Sequence, residues 1–417
     1  MTYSRVYLIR VYLIRVCLIT VAGIYQSIAV SQEAMWERIP NYERTFLCPE
    51  NEVYSPANVD QVQQIVRNAI QHQKKIMTGT RKFNSQIDAA CAGSGQVQII
   101  TEHLNKVLEI NHSDLTVKAE AGLRLYELNE ILRREGLSIN MISEGGFFSI
   151  GGMLGSDTHG STMTQPASLS DYVIAMTIVD GFGNIRKITG EALKATRVNL
   201  GVLGVVVDAT FKVEPLKKVS ATIHNGTNDD IIEAITNLPF NNYSVSLAWF
   251  PGIKKWTATV YNFVPIDTPG DAVNSQAHLP NWMFKAFREL ISVAQAPAIP
   301  FATCSFAKIR HSLRAKSYFS ENGNIVENPV GYSDQMQYFT CNDSKTCPWE
   351  ILPIVVGGFS IPIKQLPQWI KDVESIIDEN SRPMRRVCLP LNGIYFRFSK
   401  SSENFIAPNQ GHDLVFI

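Results

Sequence analysis

The sequence predicts an α+β protein that is divided into two parts near residue 216. Between residues 55 and 215, short strands alternate with amphipathic helices, whereas alternating strands dominate the chain after Pro215. The first part also contains a segment, residues 145–160, with six glycines in sixteen positions. With 417 residues, the chain is long enough to bury two or three hydrophobic cores.

The first part of the chain offers the clearest elements. Val59, Val62 and Ile65 recur on one face of a predicted helix over 58–71, which Asn58 or Asp60 caps. A second helix is predicted over 125–135 and ends at Gly136. Strands are predicted over 75–77, 97–100, 115–119, 173–179 and 203–213 in the first part, with a hairpin turn at 181–184, and over 219–224, 245–250 and 256–261 in the second.

The charge balance excludes some classes of partner. Lysine and arginine together number 38, as do aspartate and glutamate, so no basic excess is present to bind nucleic acid. Hydrophobic residues make up 45% and charged residues 18%, which is typical of a folded protein and unlike a disordered chain or a multi-span membrane protein. The composition therefore predicts a globular enzyme or binding protein without a nucleic-acid partner.

The N-terminus has the pattern of a targeting segment. Residues 5–19 repeat a five-residue phrase that begins with arginine three times, and an uncharged apolar stretch follows from Val16 to Val30. A positive flank, an apolar run and small residues such as Ala29 and Ser31 predict a secretory signal peptide over 1–31. An uncleaved membrane anchor is the alternative, because residues 6–30 are long enough to span a bilayer. Without this segment, the mature chain is expected to have no stable membrane span.

The cysteines and glycosylation sequons agree with an oxidising compartment. Six cysteines lie outside the N-terminal segment, an even number that favours disulfides, and they lack the paired spacing of a structural zinc site. Cys341 and Cys347 enclose five residues, so we predict a disulfide between them. The secretory pathway or the extracellular space is the predicted location. The four sequons begin at Asn111, Asn225, Asn242 and Asn342.

The glycine-rich segment is predicted to be a loop whose backbone contacts a ligand. Glycine at this density allows the backbone to approach a ligand closely and leaves amides for an anion. Neither a P-loop nor a dinucleotide-binding Gly-x-Gly-x-x-Gly fingerprint between a strand and a helix is present in the sequence, which disfavours both nucleotide folds. Two alternatives are a loop that merely turns and, for His159, a packed histidine without a catalytic role.

Three further segments extend this interpretation into a resemblance. Gly79-Thr-Arg-Lys-Phe-Asn-Ser85, Ala119-Glu-Ala-Gly-Leu-Arg-Leu125 and Asn199-Leu-Gly-Val-Leu-Gly-Val-Val206, in this order, resemble the FAD-binding domain of vanillyl-alcohol-oxidase-type flavoproteins. Within that superfamily, the phrases 150–161, 346–349 and 393–397 are most similar to aldonolactone oxidoreductases of the plant L-gulonolactone oxidase type. The resemblance covers about residues 40–417. It implies a two-subdomain FAD-binding (PCMH-type) domain over 40–216 and an α+β substrate (cap) domain over 217–417.

The resemblance also implies a cofactor and the residues that hold it. The cofactor is FAD, and the backbone amides of 79–85 and 151–160 are expected to face its pyrophosphate. Position 152 is expected to require glycine, because a side chain there would block the approach of the cofactor to the backbone. Asn84 stands where covalently linked relatives carry a histidine, so we predict a non-covalent FAD. The predicted cofactor-binding residues are Gly79, Thr80, Arg81, Asn84, Ser85, Ser143, Gly151, Gly152, Ser156, Thr158, His159, Gly160, Gly204 and Val206.

The reaction that the resemblance implies is oxidation of a sugar lactone. The C2 hydroxyl of an aldono-1,4-lactone is oxidised as a hydride passes to flavin N5, oxygen reoxidises the flavin, and an ascorbate-type product results. Arg397 matches the active-site arginine of the family and would stabilise negative charge; a surface or ion-paired arginine is the alternative. Tyr395 occupies the position where some lactone enzymes carry a glutamate. Arg397 and Tyr395 are the predicted catalytic residues.

Two other functions remain open at this point. One is a dehydrogenase of the same fold that passes electrons to a protein acceptor. The other is a non-catalytic flavin- or sugar-binding protein, because the family places a His-Trp-Gly-Lys segment near the flavin and the sequence ends at Ile417 before it. A berberine-bridge-type oxidase is disfavoured, since Asn84 and the 145–160 segment lack the residues of its double flavin linkage.

Overall fold

The computed structural model shows a mixed α+β architecture. It describes residues 48, 51–80, 91–141, 143, 145–274, 300–314, 318–320, 322, 324–337, 358–380, 388 and 393–417. The predictions for the signal peptide over 1–31, for Arg81, Asn84 and Ser85, for the sequon at Asn342 and for the Cys341–Cys347 disulfide lie outside these residues.

The first subdomain is a small parallel sheet covered by one helix. Its strand order is β1-β3-β2, and helix α1 packs Val62 and Val66 against Ile99 of the central strand. The side chain of Asn58 accepts a hydrogen bond from the backbone N–H of Gln61 at 3.0 Å, so Asn58 is the cap. The elements are β1 (Glu52–Tyr54), α1 (Val59–Gln71), β2 (Ile76–Gly79) and β3 (Val97–Ile100).

The second subdomain is a five-stranded antiparallel sheet with the order β4-β5-β9-β7-β8. Two helices, α2 and α3, bury Leu125, Leu128, Met153 and Leu154 in the largest core of this part. The elements are β4 (Val107–Asn111), β5 (Thr116–Glu120), α2 (Leu125–Arg134), α3 (Ile150–Ser156), β7 (Val173–Val179), β8 (Ile185–Ile188), α4 (Leu193–Thr196) and β9 (Val205–Lys212).

The chain leaves this sheet close to the predicted boundary. Strands β6 (Leu137–Ser138) and β10 (Glu214–Pro215) pair with each other, and β11 (Lys218–Thr227) then begins the next sheet. That sheet has seven strands in the order β16-β11-β13-β12-β18-β19-β17. The other elements are α5 (Ile231–Asn241), β12 (Ser244–Phe250), β13 (Lys255–Val264), β14 (Val273–Asn274), α6 (Pro300–Arg314), β15 (Tyr318–Phe319), β16 (Val330–Tyr332), α7 (Ser333–Gln337), β17 (Ser360–Pro362), α8 (Leu366–Asn380), β18 (Ile394–Ser399) and β19 (Leu414–Phe416).

The core of the strand-rich part lies between the seven-stranded sheet and two helices. Trp249, Phe396 and Phe398 from β12 and β18 are fully buried, together with Ile235 of α5 and Ile370 of α8. Alternation on β18 places Phe396 and Phe398 in this core, so Tyr395 and Arg397 lie on the opposite face of the sheet.

One predicted element is wrong in kind. The glycine-rich segment was expected to be a loop, but Ile150–Ser156 forms helix α3. Ser149 caps the helix, and Ile150, Met153 and Leu154 recur at helical spacing and are buried. Burial of these apolar side chains outweighs the low helix propensity of the glycines between them.

Two disulfides are formed in the described residues, one in each part of the chain. Cys48 bonds to Cys91 in the first part of the chain, and Cys304 bonds to Cys388 in the strand-rich part. Among the helices of the described residues, none combines the length and the apolar character that crossing a membrane requires.

Candidate functional site

Helix α3 presents two different glycine faces. Gly151 is turned towards the protein, since a Cβ there would lie 3.0 Å from the Cβ and 3.2 Å from the carbonyl oxygen of Ala121. On the other face, a Cβ on Gly155 would meet nothing within 4 Å, and one on Gly152 would meet only the Ser149 hydroxyl at 3.2 Å. Gly152 and Gly155 therefore form a strip of helix surface without side chains, which we call the glycine strip.

The backbone amides at the start of helix α3 donate hydrogen bonds within the protein. The N–H of Ile150 donates to the carbonyl of Leu123 at 2.9 Å, and that of Gly151 donates to Ala121 at 2.7 Å. The N–H of Gly152 is bonded to the Ser149 hydroxyl. The expectation that these backbone amides are offered to a pyrophosphate is wrong, because the protein uses them to fix the helix on the neighbouring turn.

Hydroxyl groups lie beside the glycine strip instead. The Ser156 hydroxyl donates to the carbonyl of Gly152 at 2.9 Å, and its oxygen lies 3.2 Å from the hydroxyl of Thr158. Ser156 is exposed and Thr158 is half-buried. Beyond them, the N–H of Gly160 donates to the carbonyl of Ala167 at 2.8 Å and is occupied.

The 199–204 loop contacts the glycine strip. The predicted cofactor residues Gly204 and Val206, at the end of this loop and in β9, have structural roles. The N–H of Leu200 donates to the carbonyl of Gly155 at 3.1 Å, which brings the loop to the glycine strip. Gly204 has a φ of +141°, and a Cβ there would lie 2.3 Å from the carbonyl oxygen of Val179. Val206 is buried in β9 opposite Ile178.

The remaining described candidates lie at the edges of the same subdomains. Gly79 ends β2, and the hydroxyl of Thr80 lies 2.7 Å from that of Thr101. Ser143 is buried, and its hydroxyl accepts from the N–H of Gly145 at 3.2 Å. No contact of Ser143 with the glycine strip is observed among the described residues, so its cofactor role stays a prediction.

His159 and Arg397 are brought together, although 238 positions of sequence separate their numbers. The ring of His159 stacks on Phe416 with 3.9 Å between centroids, and Phe416 is paired with Arg397 across β18 and β19. Burial, and then the charge of Arg397, lowers the pKa of His159 to about 4. The imidazole is therefore neutral near pH 7. Its Nδ1 donates to the carbonyl of Gly160 at 2.8 Å, which leaves Nε2 as an acceptor.

Backbone hydrogen bonds tie the cofactor segment to the strand that carries Arg397. The N–H of Thr162 donates to the carbonyl of Phe398 at 2.8 Å, and the N–H of Lys400 donates back to Thr162 at 3.3 Å. The hydroxyl of Ser161 accepts from the N–H of Phe398 at 3.0 Å. Residues 161–162 thus pair with the end of β18 through an isolated parallel bridge between Thr162 and Ser399.

Tyr395 shares the face of Arg397 but has different neighbours. It is opposite Ala248 in the sheet and packs with Cys388 and Ala307, beside the Cys304–Cys388 disulfide. The structure therefore places the two predicted catalytic residues on one face, with Arg397 towards His159. Their catalytic roles stay predictions.

Sequence reasoning missed two residues of this site. Ser149 could have been found, because a serine three residues before Gly152 and next to an apolar helical pattern is an N-cap signature. Phe416 had no local signal, since its contact with His159 depends on the pairing of β18 with β19.

The described residues fit a flat cofactor that lies on an open helix face beside hydroxyl groups. The glycine strip is an open cradle, since a Cβ on Gly155 would meet nothing within 4 Å, and Ser156, Thr158 and the neutral His159 follow it in the chain. Among the described residues, no group of three or more histidines, cysteines or carboxylates is arranged to hold a metal ion.

Comparison with known proteins decides which cofactor this is. A protein-family model described as "FAD binding domain" matches residues 51–189. Residues 51–189 are therefore an FAD binding domain. The match includes β1 to β3, the glycine strip and His159, and it ends before the 199–204 loop.

The chain is also similar over most of its length to curated lactone oxidases. It is 25% identical over 395 residues to L-gulonolactone oxidase of Scyliorhinus torazame, covering 93% of this chain and 82% of that protein. It is 26% identical to L-gulonolactone oxidase 3 of Arabidopsis thaliana, covering 89% of this chain and 68% of that protein. It is 26% identical to D-arabinono-1,4-lactone oxidase of Kluyveromyces lactis, covering 79% and 63%. The resemblance predicted from the motifs is confirmed.

A solved structure confirms the fold. Cholesterol oxidase from Brevibacterium sterolicum superposes with a TM-score of 0.67 at 15% identity, over 91% of this chain and 78% of that one. The fold is thus the predicted PCMH-type FAD-binding fold followed by an α+β part, and the FAD binding domain carries the glycine strip.

Proposed function

We propose that this FAD-linked oxidoreductase oxidises the C2 hydroxyl of an aldono-1,4-lactone, with oxygen as the final acceptor. One observation of the structure supports the proposal most directly: Arg397 is paired with Phe416, and the Phe416 ring stacks on His159 of the FAD binding domain with 3.9 Å between centroids. The names of the relatives, L-gulonolactone oxidase and D-arabinono-1,4-lactone oxidase, supply the substrate class. When bound, FAD supplies a hydride acceptor.

Arg397 is the residue that we assign to substrate charge. A guanidinium carries a positive charge and has its donors in a planar fork, which suits two neighbouring lactone oxygens. Oxidation removes a hydride from C2 and a proton from the C2 hydroxyl; as the proton leaves, negative charge grows on that oxygen, so a fixed positive charge stabilises the transition state more than the bound substrate.

His159 contributes a neutral partner rather than a second charge. Its Nδ1–H donates a hydrogen bond to the carbonyl of Gly160, and Nε2 remains able to accept one. Stacking on Phe416 holds the ring in one orientation. We assign His159 to orienting a hydroxyl or a cofactor N–H, while Arg397 provides the charge.

Anaerobic flavin reduction tests the proposal. Purified protein is mixed with L-gulono-, L-galactono- and D-arabinono-1,4-lactone, and the flavin absorbance band is followed by stopped flow; the open-chain aldonate salts are the matched controls. Bleaching by a lactone and not by its aldonate is the expected result. An unchanged spectrum with every lactone would refute the proposal and favour the non-catalytic flavin-binding alternative.

The electron acceptor needs a separate measurement. After lactone reduction, admission of oxygen is expected to restore the absorbance band within seconds and to release one peroxide per flavin. Slow return without stoichiometric peroxide would instead favour the dehydrogenase that uses a protein acceptor. The same preparation tests non-covalent binding, because acid precipitation is expected to release the yellow colour into the supernatant.

We also propose a secretory location, supported by the two disulfides and by one well-exposed sequon. Asn225 is exposed on β11, beyond residues 218–220 that pair with β16. The amides of Asn111 and Asn242 instead donate to Asp114 and to the carbonyl of Leu238. Enzymatic deglycosylation in heavy-oxygen water with peptide mapping is expected to label Asn225; an unlabelled protein would contradict the location.

A further inference from the structure

A buried polar network connects the two ends of the candidate site. Asp157 follows helix α3 in the left-handed region, with φ of 53°, and its carboxylate is buried and accepts from the Ser170 hydroxyl. Asp171, the next residue along, accepts from the Ser402 hydroxyl at 2.6 Å. Ser402 belongs to the segment that follows β18, so this network runs from the FAD binding domain to the C-terminal residues.

Asn404 occupies the centre of that network. Its side-chain nitrogen donates to the Ser170 hydroxyl at 3.3 Å and to the Asp171 carboxylate at 2.9 Å, and its side chain is fully buried. Its backbone N–H donates to the Ser402 hydroxyl at 3.2 Å. One amide group therefore contacts both serine and carboxylate groups of the opposite segment.

The position of the network gives it a consequence for the site. Asp157 is two residues before His159, and the segment that contains Asn404 begins directly after Ser399 of β18, two residues beyond Arg397. Asn409 bonds this segment back to the end of the strand: its side-chain nitrogen donates to the Ser399 hydroxyl at 2.9 Å and to the carbonyl of Lys400 at 2.6 Å. A shift of the segment would therefore move the end of β18 relative to His159.

We infer that Asn404 is a positioning residue, which holds the end of strand β18, and with it Arg397, against the His159 segment of the FAD binding domain. The amide is suited to this task because it donates two hydrogen bonds without adding a charge beside the buried carboxylate of Asp157 and the half-buried carboxylate of Asp171. Aspartate in its place would keep the size but would lose both donors and add a third carboxyl group. The inference rests on the proposed function for its kinetic consequence, but its geometric part is independent of it.

The variants N404D and N404L test the inference, with D334N as the matched control. Asp334 is also a buried carboxylate that joins the two parts, through an ion pair with Arg133 of α2, but it is not bonded to β18 or to residues 157–171. Both kinds of variant weaken a buried contact between the parts. Only the N404 variants are expected to loosen the attachment of β18 to the His159 segment.

Hydrogen exchange gives the readout that needs no substrate. In FAD-loaded protein, the N–H groups of Thr162 and Lys400, which bond the two segments, are expected to exchange at least about tenfold faster in N404D and N404L than in wild type and D334N. Unchanged exchange in the N404 variants, or equal acceleration in D334N, would overturn the inference whatever the substrate is.

Flavin reduction gives the kinetic readout. The limiting rate of reduction by a lactone is expected to fall about tenfold in N404D, with a smaller change in lactone affinity, because misplacement of a charged group costs rate more than binding. D334N is expected to keep the wild-type rate even if its melting temperature falls. Equal rates in N404D and wild type would overturn the inference, whereas failure of every lactone to reduce wild type would count only against the proposed function.

Discussion

The two parts of the molecule build their share of the site in opposite ways. In the FAD binding domain, the glycine strip, Ser156, Thr158 and His159 lie within ten consecutive residues around one short helix. In the strand-rich part, Arg397 reaches the site only because β18 pairs with β12 on one side and β19 on the other. The cofactor side is local in sequence, and the substrate side is assembled from distant strands.

This difference shows which perturbations each side tolerates. The cofactor side depends on an absent side chain, so adding atoms is the damaging change there. The substrate side depends on a charge at a fixed register position, so removing the charge or moving the strand is damaging. Each of the following predictions tests one side of this contrast.

The largest effect is expected from R397A. Loss of the guanidinium removes the positive charge beside His159, and the limiting rate of flavin reduction by a lactone should fall about a hundredfold, as for loss of one strong charge-stabilising donor. FAD content and hydrogen exchange of β18 should stay at wild-type levels. Stopped-flow reduction measures the rate; an unaffected R397A would leave the fold assignment intact but remove Arg397 from catalysis.

A pair of glycine variants tests the cofactor side. G155V places methyl groups on the open face of α3, so FAD occupancy should fall below about a tenth while the apoprotein keeps its melting temperature. G151V directs the same atoms at Ala121, 3.0 Å away, and should lower the free energy of unfolding by about 1–3 kcal/mol. Absorbance of purified protein and thermal unfolding separate the two. Full FAD occupancy in G155V would show that the strip is not the cradle.

Acid stability is expected to depend on His159. The unfolded chain protonates this imidazole near pH 6.5, whereas the folded protein does so only near pH 4, so the unfolded state binds more protons between these values. Stability contributed by the neutral ring is present above pH 6.5 and is lost as the pH falls towards 4. In H159Q, the decrease in melting temperature over this window should be smaller by a few degrees. Equal dependence of the melting temperature on pH in H159Q and wild type would contradict the neutral imidazole.

The smallest effect is expected from Y395F. Tyr395 shares the face of Arg397 but packs beside Cys388 and Ala307, so loss of its hydroxyl should change the reduction rate by less than about threefold. A loss as large as that of R397A would show that the phenol, and not only the guanidinium, acts on the substrate.

Much of the fold was determined by local sequence. Apolar periodicity located α1 and α2 almost to the residue, and β-branched runs located β7, β9, β12 and β13. The motifs around 79–85, 119–125, 150–161 and 199–206 indicated an FAD-binding fold, because glycines and caps at fixed spacing are local requirements. The helical state of 150–156 was missed, since its stability comes from burial of Ile150, Met153 and Leu154 rather than from propensity.

What only the tertiary structure decided was which distant residues meet. Arg397 could be named from its motif, but its place beside His159 follows from the register of β18 with β19 and from the stacking of Phe416 on the imidazole. The roles of Gly151 and Gly155 differ for the same reason, because one faces Ala121 and the other faces open space. The link through Asn404 joins residues more than 230 positions apart. Such contacts leave no periodic trace in the chain, since they are set by strand pairing and by packing between domains.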